Sequence, residues 1–244
     1  MRALGIDIGG SGMKGAVVDT ATGKFVTDRY RLPTPRKATP DAMATVAAKI
    51  VEHFKWKGRV GIVMPGPIKS GRVMTANNID KSWIGVEANK LYGKACGRKV
   101  TVLNDADAAG VAEMRFGAGR NQSGVVMIIT LGTGIGSALF LDGALVPNTE
   151  LGQIELNGSN AEEVAAARVR KEKDWSWKKW ARYVSMYVSA VEHLVWPDLI
   201  IIGGGVSKKA NKFIPRIKTR AKVVPAKLRN DAGIVGAALS AMVN

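Results

Sequence analysis

The sequence holds a single cysteine, Cys96, in 244 residues. That excludes an intrachain disulfide and a cysteine-rich zinc site. No apolar run approaches the ~18 residues needed to span a bilayer. The first apolar stretch is broken at Asp7, before the hydrophobic core of a signal peptide can form. The expected compartment is the cytoplasm, with no membrane partner. His53 and His193 are isolated, without the spacing of a structural metal site, and read as ordinary helix residues. Low-complexity tails and long linkers are also missing. Acidic residues are few: 20 Asp and Glu stand against 36 Lys and Arg, a formal net charge of +16.

The remaining composition, 46% apolar and 23% charged, is that of a globular protein able to bury one large core or two small ones. The excess basic residues are clustered. Residues 199–230 contain no acidic side chain but carry Lys208, Lys209, Lys212, Arg216, Lys218, Arg220, Lys222, Lys227 and Arg229. A second cluster, from Arg168 to Arg182, is diluted only by Glu172 and Asp174. Such a field favours a polyanion, whether nucleic acid, anionic membrane or inorganic polymer. A solvated basic surface is the plain alternative.

Two glycine-rich turns carry more information. Asp7-Ile8-Gly9-Gly10-Ser11-Gly12-Met13-Lys14-Gly15 follows a strand-like run at 2–6, and Thr130-Leu131-Gly132-Thr133-Gly134-Ile135-Gly136-Ser137 follows another at 125–129. Glycine tolerates positive φ and lets backbone N–H groups approach a ligand, so each turn reads as a cradle for phosphate oxygens. One copy alone would be an ordinary hairpin. Two copies about half a chain apart point to two related lobes and one phosphate-bearing substrate.

Strand and helix patterns alternate, which predicts an α/β fold. Strands are expected at 2–8, 15–19, 24–31, 59–63, 99–103 and 199–202. Helices are expected from Pro40 behind a Thr39 cap, at 108–116, at 176–195 with Trp180, Val184, Tyr187, Val191 and Val195 inward, and at 233–243.

Asp105 follows a strand and opens a helix, where the dipole favours an ionised carboxylate able to take a proton from a hydroxyl that attacks phosphorus. A simple Asp N-cap on the next helix is the alternative. Asn104 can both donate to and accept from hydroxyl groups. In the first turn, Asp7 would organise Mg²⁺ and Lys14 would contact phosphate; Thr133 adds a hydroxyl to the second. Glu150-Leu151-Gly152-Gln153-Ile154-Glu155 gathers carboxylates and an amide suited to sugar hydroxyls, or is an exposed strand end.

In order, Asp7-Ile8-Gly9-Gly10-Ser11-Gly12, Pro65-Gly66, Asn104-Asp105, Leu131-Gly132-Thr133-Gly134-Ile135-Gly136, Glu150-Leu151-Gly152 and Gly203-Gly204-Gly205 resemble the ROK family of sugar kinases, within the actin/hexokinase-like ATPase superfamily. The segments Asn78-Ile79-Asp80-Lys81-Ser82-Trp83-Ile84-Gly85, Pro147-Asn148-Thr149-Glu150 and Leu228-Arg229-Asn230-Asp231-Ala232-Gly233 look like its polyphosphate glucokinase subfamily. The resemblance runs along essentially the whole chain.

It implies two lobes with ribonuclease-H-like sheets around a cleft: a smaller one over 1–106, joined by a C-terminal helix at 232–244, and a larger one over 107–231. It implies phosphoryl transfer to the 6-hydroxyl of glucose from inorganic polyphosphate, with ATP a weak or absent donor, Asp105 as general base, Mg²⁺ as cofactor and no zinc. Sugar contacts carried over are Asn78, Asn104, Asp105, Glu150, Gln153 and Glu163. The donor region is Asp7, Gly9, Gly10, Ser11, Gly12, Lys14, Gly132, Thr133, Gly134, Gly204 and Gly205, with Asp7 holding the metal directly or through water. Homodimers are common in the family.

The positive stretch then acquires a rationale as a polyphosphate track, assigned to Arg36, Lys37, Lys208, Lys209, Lys227 and Arg229. Two departures stand out: the zinc motif of typical ROK kinases is missing, and the usual His after the Glu-x-Gly turn is Gln153. The latter leaves glucose-versus-mannose preference open. The rivals are an ATP-dependent glucokinase or mannokinase of the same family and a non-catalytic polyanion or nucleic-acid binder. Trp175, Trp177 and Trp180 lie in a basic stretch but fit a helix start and its core face, which favours packing over base stacking. No specific nucleic-acid partner is expected.

Overall fold

A computed structural model describes residues 1–76 and 79–242. The chain divides into two compact units: Met1–Ala112 with Asp231–Asn244, and Glu113–Asn230.

Unit 1 begins with β1 (Arg2–Gly9), β2 (Gly12–Asp19) and β3 (Tyr30–Leu32), then α1 (Pro40–His53), β4 (Val60–Met64), a small hairpin β5 (Ile68–Lys69) and β6 (Arg72–Val73), α2 (Ala88–Cys96), β7 (Val100–Asn104) and α3 (Asp105–Phe116). The main sheet runs β3-β2-β1-β4-β7, with β1, β4 and β7 parallel and the hairpin strands antiparallel. Period-two alternation assigns its faces. Leu4, Ile6, Ile8, Val60 and Ile62 join a core with Met43, Ala47 and Ile50 of α1 and with Trp83 stacked on Tyr92. Ala3, Gly5 and Asp7 alternate to the opposite face of β1.

Unit 2 contains β8 (Val125–Leu131), β9 (Ile135–Leu141), β10 (Ala144–Val146), a second small hairpin β11 (Glu155–Leu156) and β12 (Ser159–Asn160), α4 (Ala161–Ala165), α5 (Ala167–Glu172), α6 (Trp177–Val195), β13 (Leu199–Gly203) and β14 (Lys222–Pro225). Its sheet runs β10-β9-β8-β13-β14, with β8, β13 and β14 parallel. Order and direction match those of unit 1, so each unit places a glycine hairpin directly after its first parallel strand. The long helix α6 is capped by Ser176 Oγ, which accepts the Lys179 N–H at 3.2 Å. It lays Trp180, Val184, Tyr187, Val188 and Val191 on the apolar face of β8 and β13.

The last helix, α7 (Ala232–Ser240), belongs to unit 1. It lies on Gly5 and Gly61, where a methyl would fall 2.0 Å from the Ile234 carbonyl oxygen and 1.6 Å from that of Ala237. Its own Gly236 sits as tightly on the Ala108 carbonyl. Each of the fully buried Ile234 and Val235 stabilises the unit by about 1.5–3 kcal/mol.

Some expected elements shift. The 24–31 strand shrinks to Tyr30–Leu32 with one isolated bridge, Val18 to Phe25, because Thr27 Oγ1 takes the Val17 N–H at 3.1 Å. Thr39 occupies the α1 cap position but makes no side-chain cap bond. The α3 helix starts at Asp105 rather than 108, and α7 ends at Ser240.

Candidate active site

Unit 1 concentrates charge at the ends of β1 and β7. Asp7 pairs in register with Lys14 across the first hairpin, and Lys14 Nζ lies 3.8 Å from Asp7 Oδ2. Burial raises the Asp7 carboxyl above its ordinary value, against the opposing pull of Lys14. Gly233, at the start of α7, faces this carboxylate.

Asp105 is the first residue of α3, but the helix is capped by Asn104. Asn104 Oδ1 accepts the N–H groups of Ala106 at 2.8 Å and Asp107 at 3.0 Å, while Nδ2 donates to the Gly66 carbonyl at 3.1 Å. Asn104 is 4% exposed, and beyond these three bonds it keeps one Nδ2 hydrogen for the sugar contact expected of it. Asp105 spends one oxygen on the Ala106 N–H at 2.9 Å and keeps its side chain exposed. The protein packed around it nevertheless removes enough water to raise its carboxyl to about 6, an effect reinforced by the negative charge of Asp7. The result is a carboxylate near neutrality in an open position, suited to a general base.

The first turn departs from the expected positive-φ cradle: none of Gly9, Gly10 and Gly12 has left-handed φ. Their surroundings differ. A methyl on Gly12 would strike the Arg31 guanidinium at 2.5 Å, and at Gly10 nothing lies within 4 Å. Arg31 Nη2 donates to the Ser11 carbonyl at 2.6 Å and Thr34 Oγ1 to the Gly9 carbonyl at 2.6 Å. Both tie carbonyl oxygens of the turn to the protein, removing acceptors that would oppose an anion. Sequence reading missed Arg31, because nothing in its spacing marks a contact formed across the sheet.

The second turn also lacks left-handed glycines. Here the Gly132 N–H is not offered outward; it bonds the Gly134 carbonyl at 3.0 Å. Glu162 accepts the Ile135 N–H at 2.8 Å and packs on Gly134. Arg168 clamps the turn, its backbone N–H on the Gly132 carbonyl at 3.0 Å and its Nε on that of Thr133 at 2.8 Å. Thr133 remains exposed. Gly204, at φ +80°, lets the loop after β13 pass the Leu131 carbonyl, and Gly205 follows with open space around it. Gly132, Thr133 and Gly205 line a cavity of about 680 Å³ together with Arg168, Arg170, Lys171 and Lys209.

Glu150 and Gln153 are brought together by a short 3₁₀ turn, Leu151–Gln153, in which the Gln153 N–H bonds the Glu150 carbonyl at 3.0 Å. Buried Ser137 anchors the approach to this turn through the Thr149 carbonyl and the Leu151 N–H. Gln153 Oε1 is taken by Asn160 at 3.1 Å, leaving its amide hydrogens as donors. Glu163 is exposed, whereas its neighbour Glu162, which the sequence reading passed over, holds the glycine turn. Buried Tyr187 points its phenol into the field of Glu162 and Glu150; burial first, then those charges, keep it protonated. Asn78 lies outside the described residues.

Of the expected polyphosphate track, Lys209 lines the unit 2 cavity; Arg36 and Lys37 belong to unit 1, and Lys208, Lys227 and Arg229 are exposed and not part of that lining. The tryptophans pack: Trp180 is fully buried, Trp175 stacks on Tyr183 and Trp177 on Phe213. Among the described residues no group of three or more His, Cys, Asp or Glu is placed to hold a metal, and no helix is long and apolar enough to cross a membrane.

Comparison with known proteins supplies the context for this geometry. The profile of the ROK family matches residues 3–157. A polyphosphate glucokinase of Mycobacterium tuberculosis (strain CDC 1551 / Oshkosh) is 51% identical over 244 residues, covering all of this chain and 92% of its own length. The crystal structure of an inorganic polyphosphate/ATP-glucomannokinase from Arthrobacter sp. strain KM superposes with a TM-score of 0.94 at 46% identity, over 98% of each chain. A ROK family glucokinase from Streptomyces griseus, in complex with glucose and AMPPNP, gives a TM-score of 0.84 at 25% identity, again over 98% of each chain. With the two-sheet α/β architecture, both glycine hairpins and the Asn104-Asp105 corner in place, this chain belongs to the ROK family.

Proposed function

We propose that this protein transfers the terminal phosphoryl group of inorganic polyphosphate to the 6-hydroxyl of glucose. The observation that carries the reading is Asp105: it stands exposed at the β7–α3 corner with its carboxyl raised to about 6, and Asn104 shares the capping so that only one Asp105 oxygen is spent on the Ala106 N–H. At pH 7 such a group is ionised in about nine molecules of ten. Identity of 47–51% to polyphosphate glucokinases, along essentially the full chain, supports the choice of donor and acceptor.

In this mechanism the 6-hydroxyl gives its proton to Asp105 as its oxygen bonds the terminal phosphorus. The bond from that phosphorus to the next bridging oxygen breaks, and the electron pair leaves with the shortened polymer. Phosphoryl transfer depends on position and charge neutralisation more than on covalent help. Lys14 supplies a fixed cation beside Asp7, and the first hairpin keeps open space at Gly10. Magnesium prefers oxygen ligands and is commonly held by one or two carboxylates with substrate phosphates. The partly exposed Asp7 carboxylate fits that donor set. When bound there, the ion would neutralise charge on the transferring group. In unit 2, we assign Glu150, Gln153 and Glu163 to sugar hydroxyls and Thr133 to a donor phosphate.

A second reading, an ATP-using kinase of the same family, has one observation in its favour: the Arthrobacter relative is described as a polyphosphate/ATP enzyme. The test is glucose 6-phosphate formation with Mg²⁺ and glucose, supplying polyphosphate or ATP separately. Faster turnover with polyphosphate supports the first reading, and product with ATP alone supports the second. Product with neither donor overturns both for glucose, and mannose then tests whether Gln153 has changed the acceptor.

A further inference from the structure

The unit 2 cavity combines a phosphate-sized turn with an uneven charge lining. Its volume of about 680 Å³ falls within the range of small-molecule sites, so size alone does not choose between a nucleoside and a run of phosphates. The lining does. Four cationic side chains, Arg168, Arg170, Lys171 and Lys209, face one carboxylate, Glu172. Arg168 is committed to the turn and to Glu172, whose Oε2 lies 3.4 Å from its Nη1. Lys171 and Lys209 are exposed and make no ion pair among the described residues. The one aromatic ring of the lining, Trp177, is already engaged. The Arg170 guanidinium lies 4.2 Å from its centroid, the Lys212 ammonium 5.6 Å, and the Phe213 ring is stacked at 6.2 Å.

An aromatic wall of this kind can serve as a platform for a base. Here it carries cations instead, which places charge where a base would stack and leaves ammonium groups facing the cavity. We infer that this cavity takes the length of the polyphosphate chain beyond the reacting end, with Arg170, Lys171 and Lys209 binding its phosphates, and that Arg170 sets the preference for polymer over nucleotide. Arg168 is a positioning residue, holding the Gly132–Thr133 carbonyls away from the anion. The inference deepens the proposed function and rests on it for the identity of the polymer.

The experiment measures equilibrium binding of long-chain polyphosphate, tripolyphosphate and ATP to the full chain over a salt series. It compares wild type, Arg170→Ala and the double variant Lys171→Gln/Lys209→Gln. Long polymer is expected to bind about tenfold or more weakly to each variant, with the slope of log K against log salt reduced by about one per contact removed. ATP affinity should change less than threefold, or rise in Arg170→Ala as the indole is uncovered. Equal losses for polymer and ATP, or an unchanged polymer affinity and salt slope, would overturn the inference. If Arg170→Ala melts early, the exposed lysine pair carries the test. Turnover separates the two claims. Variant-sensitive polymer binding without polyphosphate-driven product leaves the polyanion site standing and removes the donor reading. Product without variant-sensitive binding does the reverse.

Discussion

Gly233 stands so close to Asp7 that a methyl on its Cα would lie 3.0 Å from the carboxylate carbon and 3.2–3.3 Å from its oxygens. The contact follows from strand alternation: Gly5 and Asp7 share the face of β1 on which α7 lies, with Gly5 under the helix and Asp7 at its N-terminal end. Gly233→Ala should therefore displace the carboxylate from its place beside Lys14. We expect kcat/KM to fall about tenfold, since small misplacements near the reacting groups are costly. Stability should hold or rise, because Ala exceeds Gly in helix propensity by about 0.8–1 kcal/mol. Kinetics and a thermal melt on one preparation check both; unchanged kinetics would remove Asp7 from the reacting groups.

Asp105→Asn should lower kcat by ~10²-fold or more while preserving the fold, because the proton acceptor is lost. It should also raise the melting temperature at pH 8. The folded protein holds the Asp105 proton more tightly than the unfolded chain does, so ionisation works against folding. That penalty is absent below the ordinary value near 3.8 and complete above about 6. Melts at pH 8 and pH 4 should show the full stabilisation at the first and most of it gone at the second.

The pH profile of the chemical step should follow the same group. Below about 6, kcat falls as Asp105 takes up its proton, approaching a tenfold loss per pH unit. A profile flat down to pH 5 would assign proton removal elsewhere.

Asn104→Ala should cost about 1–2 kcal/mol through loss of the α3 cap. The melting temperature is expected to fall by about 2–4 °C for each kcal/mol. Activity should fall as well, because the Ala106 and Asp107 N–H groups would then compete for the neighbouring Asp105 carboxylate. Calorimetry with initial rates tests the pair of effects. A destabilised variant with full kcat would show that Asp105 keeps its position without the cap.

Much of this was legible in residue order. The apolar runs located every parallel strand except β14, whose Lys222–Pro225 segment read only as part of the basic stretch, and the glycine clusters located both hairpins. What the glycines do was less legible. Composition points to positive φ, yet what Gly12 and Gly134 provide is room for the ends of the Arg31 and Glu162 side chains, which come from other elements. The same holds for Asn104 and Asp105. Both residue types are good caps, and a sequence alone does not decide which of two neighbours turns inward; the β7–α3 corner does so by aiming Asn104 at Gly66. Glu162, and the hold of Arg168 on the second turn, were not legible because the partners are backbone atoms about 30 residues away. The basic segments were visible as charge, but which cations share a cavity depends on how the loop after β13 meets α5.

The bed of α7 is made long before its occupant. Gly5 and Gly61 are synthesised early, whereas residues 232–240 follow the whole of unit 2. During synthesis the N-terminal sheet thus emerges with one face uncovered, and must wait while unit 2 is translated. The order of completion is consequently the reverse of the order of synthesis: unit 2 closes first, unit 1 last. Brief protease treatment of stalled chains should find 113–230 protected before 1–112. Until α7 arrives, the Asp7 carboxylate lacks the Gly233 backbone that it faces in the folded unit.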